Sequence, residues 1–215
     1  MSFRTFLYPG CVFRTAIGAL ALILLLGLQP AAAEQADHAA HHDAHKHHKV
    51  APGYQRSLAS YSVPNVTMVN QDGQRVALPE LLDADAPVML NFIFTSCTAI
   101  CPAMSAIFAR VQNELGSDSA RLRMVSISID PEYDRPDKLK AYAEQFRAGA
   151  GWDFLTGDSN DIVQVLKGFD SYAGSKMNHQ PITLLKSPAS SSWTRIEGLA
   201  SGKDLANEVT ARLLN

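Results

Sequence analysis

A short apolar run that leads straight into two cysteines and a helical pattern is the feature that most constrains this chain. The run is VMLNFIFT, Val88 to Thr95, and Pro87 and Ser96 bound it. A short apolar run of this kind is typical of a strand buried on both faces. From Cys101 to Leu115 apolar residues recur at helical spacing, and Gly116 follows as a stop signal. The stretch therefore predicts a buried strand, a loop and a helix in succession.

The other patterns extend this unit to an α/β sandwich. The segment VPNVTMVNQDGQRVAL alternates on both sides of a Gln71-Asp72-Gly73 turn and predicts an N-terminal hairpin. RLRMVSISID predicts a second buried strand, and ITLLKS and WTRIEG predict a late pair of strands. Further helices are expected over Pro136 to Arg147, Ser159 to Phe169 and Lys203 to Leu214. Strands and helices in this order argue for a mixed central sheet with helices packed against it.

The N-terminal segment, residues 1–33, has the pattern of a secretory signal peptide. Two arginines precede the apolar run AIGALALILLLGL, which ends in QPAAA, a small-residue pattern suited to cleavage. An uncleaved membrane anchor is the alternative, but Gln29 and Pro30 interrupt the run before it reaches the about 20 residues that span a bilayer. Either way the folded part is expected in the periplasm. Cleavage would remove Cys11.

Residues 34–60 are expected to form a disordered, histidine-rich linker, which leaves 61–215 as the folded domain. The first part, EQADHAAHHDAHKHHKVAPGYQ, has almost no large apolar residue and cannot form a core. Clustered imidazoles in a flexible tract predict weak, secondary binding of divalent metal ions, and a plain solvated linker is the alternative. The histidines concerned are His38, His41, His42, His45, His47 and His48.

The two cysteines of the domain are expected to mark a functional site. A domain of roughly 150 residues buries enough surface to fold without a disulfide, and a bridge closing so small a loop removes little chain entropy. Cys97 falls in the loop after the strand and Cys101 in the first turn of the helix, where free N–H groups favour a thiolate. Open α/β folds place their sites at this end of the sheet. A redox pair and a metal site both fit, and His179, the one histidine of the domain, is a candidate third ligand.

Three motifs together resemble the Sco (SenC) family: FTSCTAICP, VSISIDPEYDRPDKLKAY and a late histidine before a strand. The resemblance implies an exported, thioredoxin-like copper protein that serves assembly of the CuA centre of cytochrome c oxidase. It also implies Cys97, Cys101 and His179 as ligands of copper, as Cu(I) or Cu(II). The chain departs from the family in having Asn178 where an acidic residue is usual, and in a short GFDSYAGSKM segment before the histidine. Pro181 resembles the thioredoxin proline that faces the cysteines, which favours redox chemistry.

The chemistry of these donors agrees with copper. Two thiolates and an imidazole suit Cu(I), whereas structural zinc takes four protein ligands. Two methionines, Met104 and Met177, could add a thioether, but core packing and a loop position are the preferred interpretations.

Three aspartates follow the second buried strand. Asp134 is expected to cap a helix whose first turn holds Pro136 and Asp137. Asp130 ends the strand at the edge of the site and is expected to tune it.

The donor set and the resemblance together predict a copper chaperone rather than an enzyme, and the resemblance implies the CuA-bearing oxidase subunit as its recipient. Other copper chaperones or thioredoxin-like reductants are expected as further partners. One alternative is a thiol–disulfide oxidoreductase that keeps a partner's metal-site cysteines reduced, and another is a periplasmic metal buffer. A peroxiredoxin-type peroxidase is a minor fourth, since no activating arginine is evident beside Cys97. The net charge of −2 gives no sign of nucleic-acid binding, and membrane contact is expected only if the N-terminal segment is retained.

Overall fold

The computed structural model of the protein describes residues 53–83, 85–188 and 190–214. The predicted signal peptide, the six clustered histidines and most of the expected linker lie outside the described residues. No helix in the described part of the chain is both long and apolar enough to cross a bilayer.

The apolar runs of the sequence form one mixed sheet. In the order in which they pair across it, the strands are β1, β8, β7, β4, β5, β6, β2 and β3. β4, β5 and β6 are parallel, and every other neighbouring pair is antiparallel. The bounds are β1 Tyr54–Ala59, β2 Thr67–Asn70, β3 Arg75–Ala77, β4 Val88–Ile93, β5 Arg123–Ser128, β6 Trp152–Thr156, β7 Ile182–Lys186 and β8 Trp193–Gly198.

Helices cover both faces of this sheet. Their bounds are α1 Leu78–Leu82, α2 Ile100–Leu115, α3 Pro136–Gln145, α4 Ser159–Gly168 and α5 Gly202–Val209, with a short π-helical turn at Thr210–Leu214. α2, α3 and α5 pack on one face, in a core cluster that includes Cys101 and the β4 residue Ile93. α1 and α4 pack on the other face, in a cluster that includes the β4 residue Phe92. Consecutive residues of β4 thus point into opposite cores, as the two-residue period of a strand requires.

The predicted α/β, thioredoxin-like class is confirmed, including the mixed sheet and the N-terminal hairpin. The hairpin turns where Gly73 adopts a φ of 78°, a left-handed conformation that a glycine reaches without steric cost. The buried strands at Val88 and Arg123, the late strand pair and the main helices all lie where the sequence places them.

Three elements were not predicted, each because its sequence lacks a local period. β1 lies inside the segment expected to be a linker, so the described fold begins before Tyr61; most of its residues are exposed, and its pairing with β8 holds it. β6 is a five-residue run, and it is fixed by its pairing with β5 and β2 rather than by a pattern of its own. α1, with five residues, is too short to show a helical repeat.

Candidate metal centre

The cysteine pair lies at the junction of β4 and α2, at the carboxyl end of the parallel strands. Cys97 is partly exposed in the loop, and Cys101 is fully buried in the first turn of α2. Both are free thiols. The loop is closed by two hydrogen bonds: the Cys97 N–H donates to the Phe94 carbonyl at 3.1 Å, and the Cys101 N–H donates to the Cys97 Sγ at 3.4 Å. The predicted placement of both cysteines is therefore present, with the second one turn after the first.

The two thiols differ in acidity. Burial alone would raise the pKa of Cys97, but hydrogen bonds from the backbone N–H groups of α2's first turn and from the Cys101 thiol outweigh it and lower the pKa. Burial raises the pKa of Cys101 to about 12, and the neighbouring Cys97 adds to the increase. Cys97 is therefore the more acidic of the two sulfurs, and Cys101 is a protonated thiol at neutral pH.

Asp134 holds the start of the cysteine loop in place. The prediction that it caps α3 is wrong. The residue before Pro136, Arg135, is the N-cap of α3, and its side chain makes no capping hydrogen bond. Asp134 is instead completely buried. Its carboxylate accepts from the Thr95 N–H at 3.0 Å, from the Thr95 hydroxyl, and from the Ser128 hydroxyl at 2.6 Å. These contacts join the end of β5 to the residue that begins the loop carrying Cys97.

His179 lies on the other side of the sheet from the cysteines. Its ring is buried edge-on against the Phe92 ring, at 6.2 Å between centroids, and so contacts the core under α4. The Nε2 atom is 3.1 Å from the Phe92 carbonyl oxygen. A carbonyl can only accept, so Nε2 carries the proton and the free lone pair is on Nδ1. Burial lowers the pKa of His179, partly offset by the Phe92 carbonyl, and the imidazole is neutral at neutral pH.

His179 lies where the pairing of β4 with β7 ends. The paired residues run from Val88 and Lys186 to Asn91 and Thr183, and Phe92 is the next residue of β4. The hydrogen bond to the Phe92 carbonyl thus places the imidazole beside the end of this strand pair.

The structure brings together two of the three residues predicted to bind metal. Within residues 53–83, 85–188 and 190–214, no three His, Cys, Asp or Glu side chains are grouped closely enough to hold a metal ion. Cys97 and Cys101 are neighbours, and His179 is held apart from them. A site with all three donors therefore requires the loop before β7 to move.

Asp130, predicted to tune the site, contacts the loop that carries His179. Its Oδ2 is 2.5 Å from the Lys176 Nζ, and its N–H donates to the Ser128 hydroxyl at 3.0 Å. Asp130, Lys176 and His179 line one cavity of about 260 Å³, whose floor is formed by Ile162 and Leu166 of α4. Asp130 therefore faces the histidine loop rather than the sulfurs.

Sequence reasoning missed Lys176 and the bracing role of Asp134. A lysine in a loop gives no signal of its own, since its partner lies far away in the chain. Asp134 could have been recognised from the hydroxyls at the ends of both buried strands, Thr95 and Ser128, which need an acceptor. Of the two methionines, Met104 is buried in α2 as expected for core packing, and Met177 is 76% exposed in the loop.

A thioredoxin-like sheet with a dithiol at the first turn of its helix defines a class of proteins that act on metals or disulfides through paired sulfurs. The sequence matches the model of the SCO1/SenC family over residues 56–214, and the chain belongs to that family.

Relatives agree with this assignment. The SCO1 protein homolog of Bacillus subtilis (strain 168) is 38% identical over 113 residues, which cover 51% of this chain and 58% of that protein. The chain spans about half the length of the curated relatives it matches.

Solved structures show the same fold. BsSco, a member of the Sco family of cytochrome c oxidase assembly proteins in which a disulfide switch was identified, is 31% identical. It aligns with a TM-score of 0.60 over 72% of this chain and 95% of its own. ScoI of Arabidopsis thaliana, solved with copper bound, aligns with a TM-score of 0.60 at 24% identity, over 71% of this chain and 97% of its own. At that identity the second likeness concerns the fold alone.

Proposed function

We propose that this protein is a periplasmic copper chaperone that holds one copper ion through Cys97, Cys101 and His179 and delivers it to the CuA centre of cytochrome c oxidase. The observation that carries the proposal is the pair of free thiols at the β4–α2 junction, one partly exposed and one buried. Two soft sulfurs suit Cu(I), which accepts low coordination numbers. The family assignment and the copper-bound relatives support the same cargo.

The difference between the sulfurs suits them to taking up and releasing an ion. Cys97 is accessible and has the lowered pKa, so it makes the first bond to an incoming ion. The ion then displaces the proton of the buried Cys101, whose pKa is raised to about 12, because a bound metal stabilises the thiolate far more than burial disfavours it. Release to a recipient reverses this order, with Cys101 taking up its proton again.

His179 completes the site with its imidazole. In the arrangement described, Nε2–H is bound to the Phe92 carbonyl and the free lone pair is on Nδ1. Release from Phe92 leaves a neutral ring with one free lone pair for the ion. A neutral imidazole is ready to bind metal, and the burial that lowers its pKa keeps it neutral. The ligand reaches the sulfurs when the loop before β7 leaves its contacts with the core under α4.

A thiol–disulfide oxidoreductase is the second candidate, and the same sulfur asymmetry favours it. A partly exposed thiol of lowered pKa beside a buried thiol of raised pKa is the arrangement of an attacking and a resolving cysteine. Such a reaction needs no histidine, so His179 separates the two functions. The metal-buffer alternative depends on the clustered histidines, which lie outside the described residues.

Anaerobic Cu(I) titration of the reduced chain against a chromophoric chelator tests the proposal. Cys97→Ser and Cys101→Ser should each abolish tight binding, and His179→Ala should weaken it severely. Met177→Ala, in the same exposed loop, is the matched control and should bind as the parent does.

A functional assay separates the two candidates. The His179→Ala protein should fail to restore the CuA centre of the apo oxidase subunit while still reducing a disulfide substrate at the parent rate. If it supports metallation as well as the parent does, and either cysteine variant fails, the oxidoreductase is the correct function.

A further inference from the structure

The loop that carries His179 is anchored at few points. It runs from Ser171 to Pro181 between α4 and β7. Ser171 and His179 are buried at its two ends, and all residues from Tyr172 to Asn178 are exposed. Near its end the loop makes a single tight turn, in which the Ser175 hydroxyl accepts from the Met177 N–H at 3.3 Å. The position of His179 therefore depends on the contacts that this exposed stretch makes with the rest of the domain.

Lys176 supplies such a contact, and it is directed at the site. Its Nζ is 2.5 Å from the Asp130 carboxylate, just after β5, and 5.6 Å from the centre of the Phe94 ring, just after β4. The ammonium group is thus bound by charge on one side and by an aromatic face on the other. Phe94 is also the residue whose carbonyl holds the Cys97 N–H. One side chain therefore ties the histidine loop to the ends of both central strands, beside the cysteine loop.

These contacts belong to the arrangement in which His179 lies away from the sulfurs, its stored position. The imidazole is bound to the Phe92 carbonyl on the α4 side of the sheet, and the sulfurs belong to the core on the opposite side. A chain that moves His179 to the sulfurs must move Lys176, three residues earlier, at the same time. Every contact that favours the stored arrangement lowers the apparent affinity of a site that needs His179, because only the released fraction is competent.

We propose that the Lys176–Asp130 clasp is a latch that keeps His179 in its stored position and thereby sets how tightly the site holds copper. Lys176 is a positioning residue in this scheme, since it acts through His179 and does not touch the ion. The inference rests on the proposed function, in which His179 is a copper ligand. The latch lowers the copper affinity below the value that three donors alone would give. A lower affinity suits a protein that has to release copper to a recipient.

The test is Cu(I) affinity of the reduced full chain in competition with a chromophoric chelator. Lys176→Met removes the charge and keeps the stem against Phe94, and it should tighten copper binding about two- to tenfold, the range expected for an exposed ion pair with an aromatic contact. Lys176→Arg keeps the clasp and should match the parent. Lys140→Met breaks a comparable Lys–Asp pair on the surface, with Asp72 at 3.0 Å, and should leave the affinity unchanged.

A double-mutant cycle and a spectroscopic signal make the test specific. In the His179→Ala background, Lys176→Met should have no effect, since there is no histidine left to release. In the copper-free protein the Nε2–H proton of His179 should exchange with solvent faster in Lys176→Met than in the parent, as measured by NMR. A purely structural role for Lys176 would lower the melting temperature without raising copper affinity.

The outcomes separate the latch from the proposed function. Suppose that His179→Ala weakens copper binding. If Lys176→Met then fails to tighten binding, or weakens it equally in the parent and in the His179→Ala variant, the latch is overturned and the three-donor site stands. If His179→Ala binds copper as the parent does, the three-donor site falls and the latch falls with it. A gain that appears only when His179 is present supports both.

Discussion

Replacing Asp134 with alanine should strongly destabilise the domain. The carboxylate is completely buried and accepts three donors, the N–H and hydroxyl of Thr95 and the hydroxyl of Ser128. Alanine removes every acceptor and leaves a space where the carboxylate was. The end of β5 would then lose the contact that joins it to the residue that begins the loop carrying Cys97.

The size of the effect follows from the donors left without partners. Each buried donor that loses its acceptor costs about 1–3 kcal/mol. Ser128 is fully buried and carries that cost in full, whereas Thr95 is partly exposed and recovers some of it from water. The sum for Asp134→Ala is about 3–5 kcal/mol, a large share of the about 5–15 kcal/mol that stabilises a typical domain. Asp134→Asn keeps the shape and one acceptor oxygen, so its loss should be smaller.

Urea unfolding of the reduced, metal-free protein measures the difference. Asp137→Ala is the matched control, because Asp137 lies in the first turn of α3, is exposed, and makes only a helix-dipole contribution of about 0.3–1 kcal/mol. A loss for Asp134→Ala within 1 kcal/mol of that control would refute the bracing role. Copper binding by the folded fraction of Asp134→Ala should also weaken, since Thr95 begins the loop that carries Cys97.

Iodoacetamide should modify Cys97 well before Cys101, because the pKa of Cys97 is lowered and that of Cys101 is raised. Equal labelling by peptide mass spectrometry would contradict the assigned asymmetry. Burial lowers the pKa of His179 in the folded protein, so protonation of this residue favours the unfolded chain. The contribution of His179 to folding stability is complete above its unfolded pKa of 6.5, and it is lost as the pH falls through the lower pKa of the folded state. Urea unfolding at several pH values should show a shallower acid slope for His179→Gln, and identical slopes would count against that burial. Replacing all six clustered histidines, His38 to His48, with serine should remove weak Cu(II), Ni(II) or Zn(II) sites and leave the tight Cu(I) site; unchanged stoichiometry would make the segment a plain linker.

The parts of the fold that sequence predicted are those with a local signature. The apolar run at Val88, the helical spacing after Cys101 and the glycine turn at Gly73 each carry their own period or turn chemistry. β1 and β6 carry none, and they exist because neighbouring strands offer them hydrogen-bond partners. Tertiary pairing of this kind cannot be read from a window of a few residues.

The same division holds in the candidate centre. Strand-to-helix spacing is local, and it places Cys97 and Cys101 at the edge of the sheet as expected. The position of His179 depends on a long-range contact with the Phe92 carbonyl, 87 residues earlier in the chain. Asp134 shows the opposite error. Its local signal, an aspartate just before a helix, is outweighed by two hydroxyl groups that need an acceptor, one 39 residues away at Thr95 and one six residues away at Ser128. The sequence could name the candidate metal ligands, whereas their positions depend on long-range contacts.

In the proposed site, copper is held by two sulfurs and one imidazole nitrogen of this domain. X-ray absorption at the copper edge is the most direct test, on reduced, Cu(I)-loaded protein in which the six clustered histidines are serine. The parent should show two sulfur ligands and one nitrogen ligand, and His179→Ala should lose the nitrogen and keep both sulfurs. Two sulfurs with no nitrogen in both proteins would contradict the account and leave a dithiolate site from which His179 is absent.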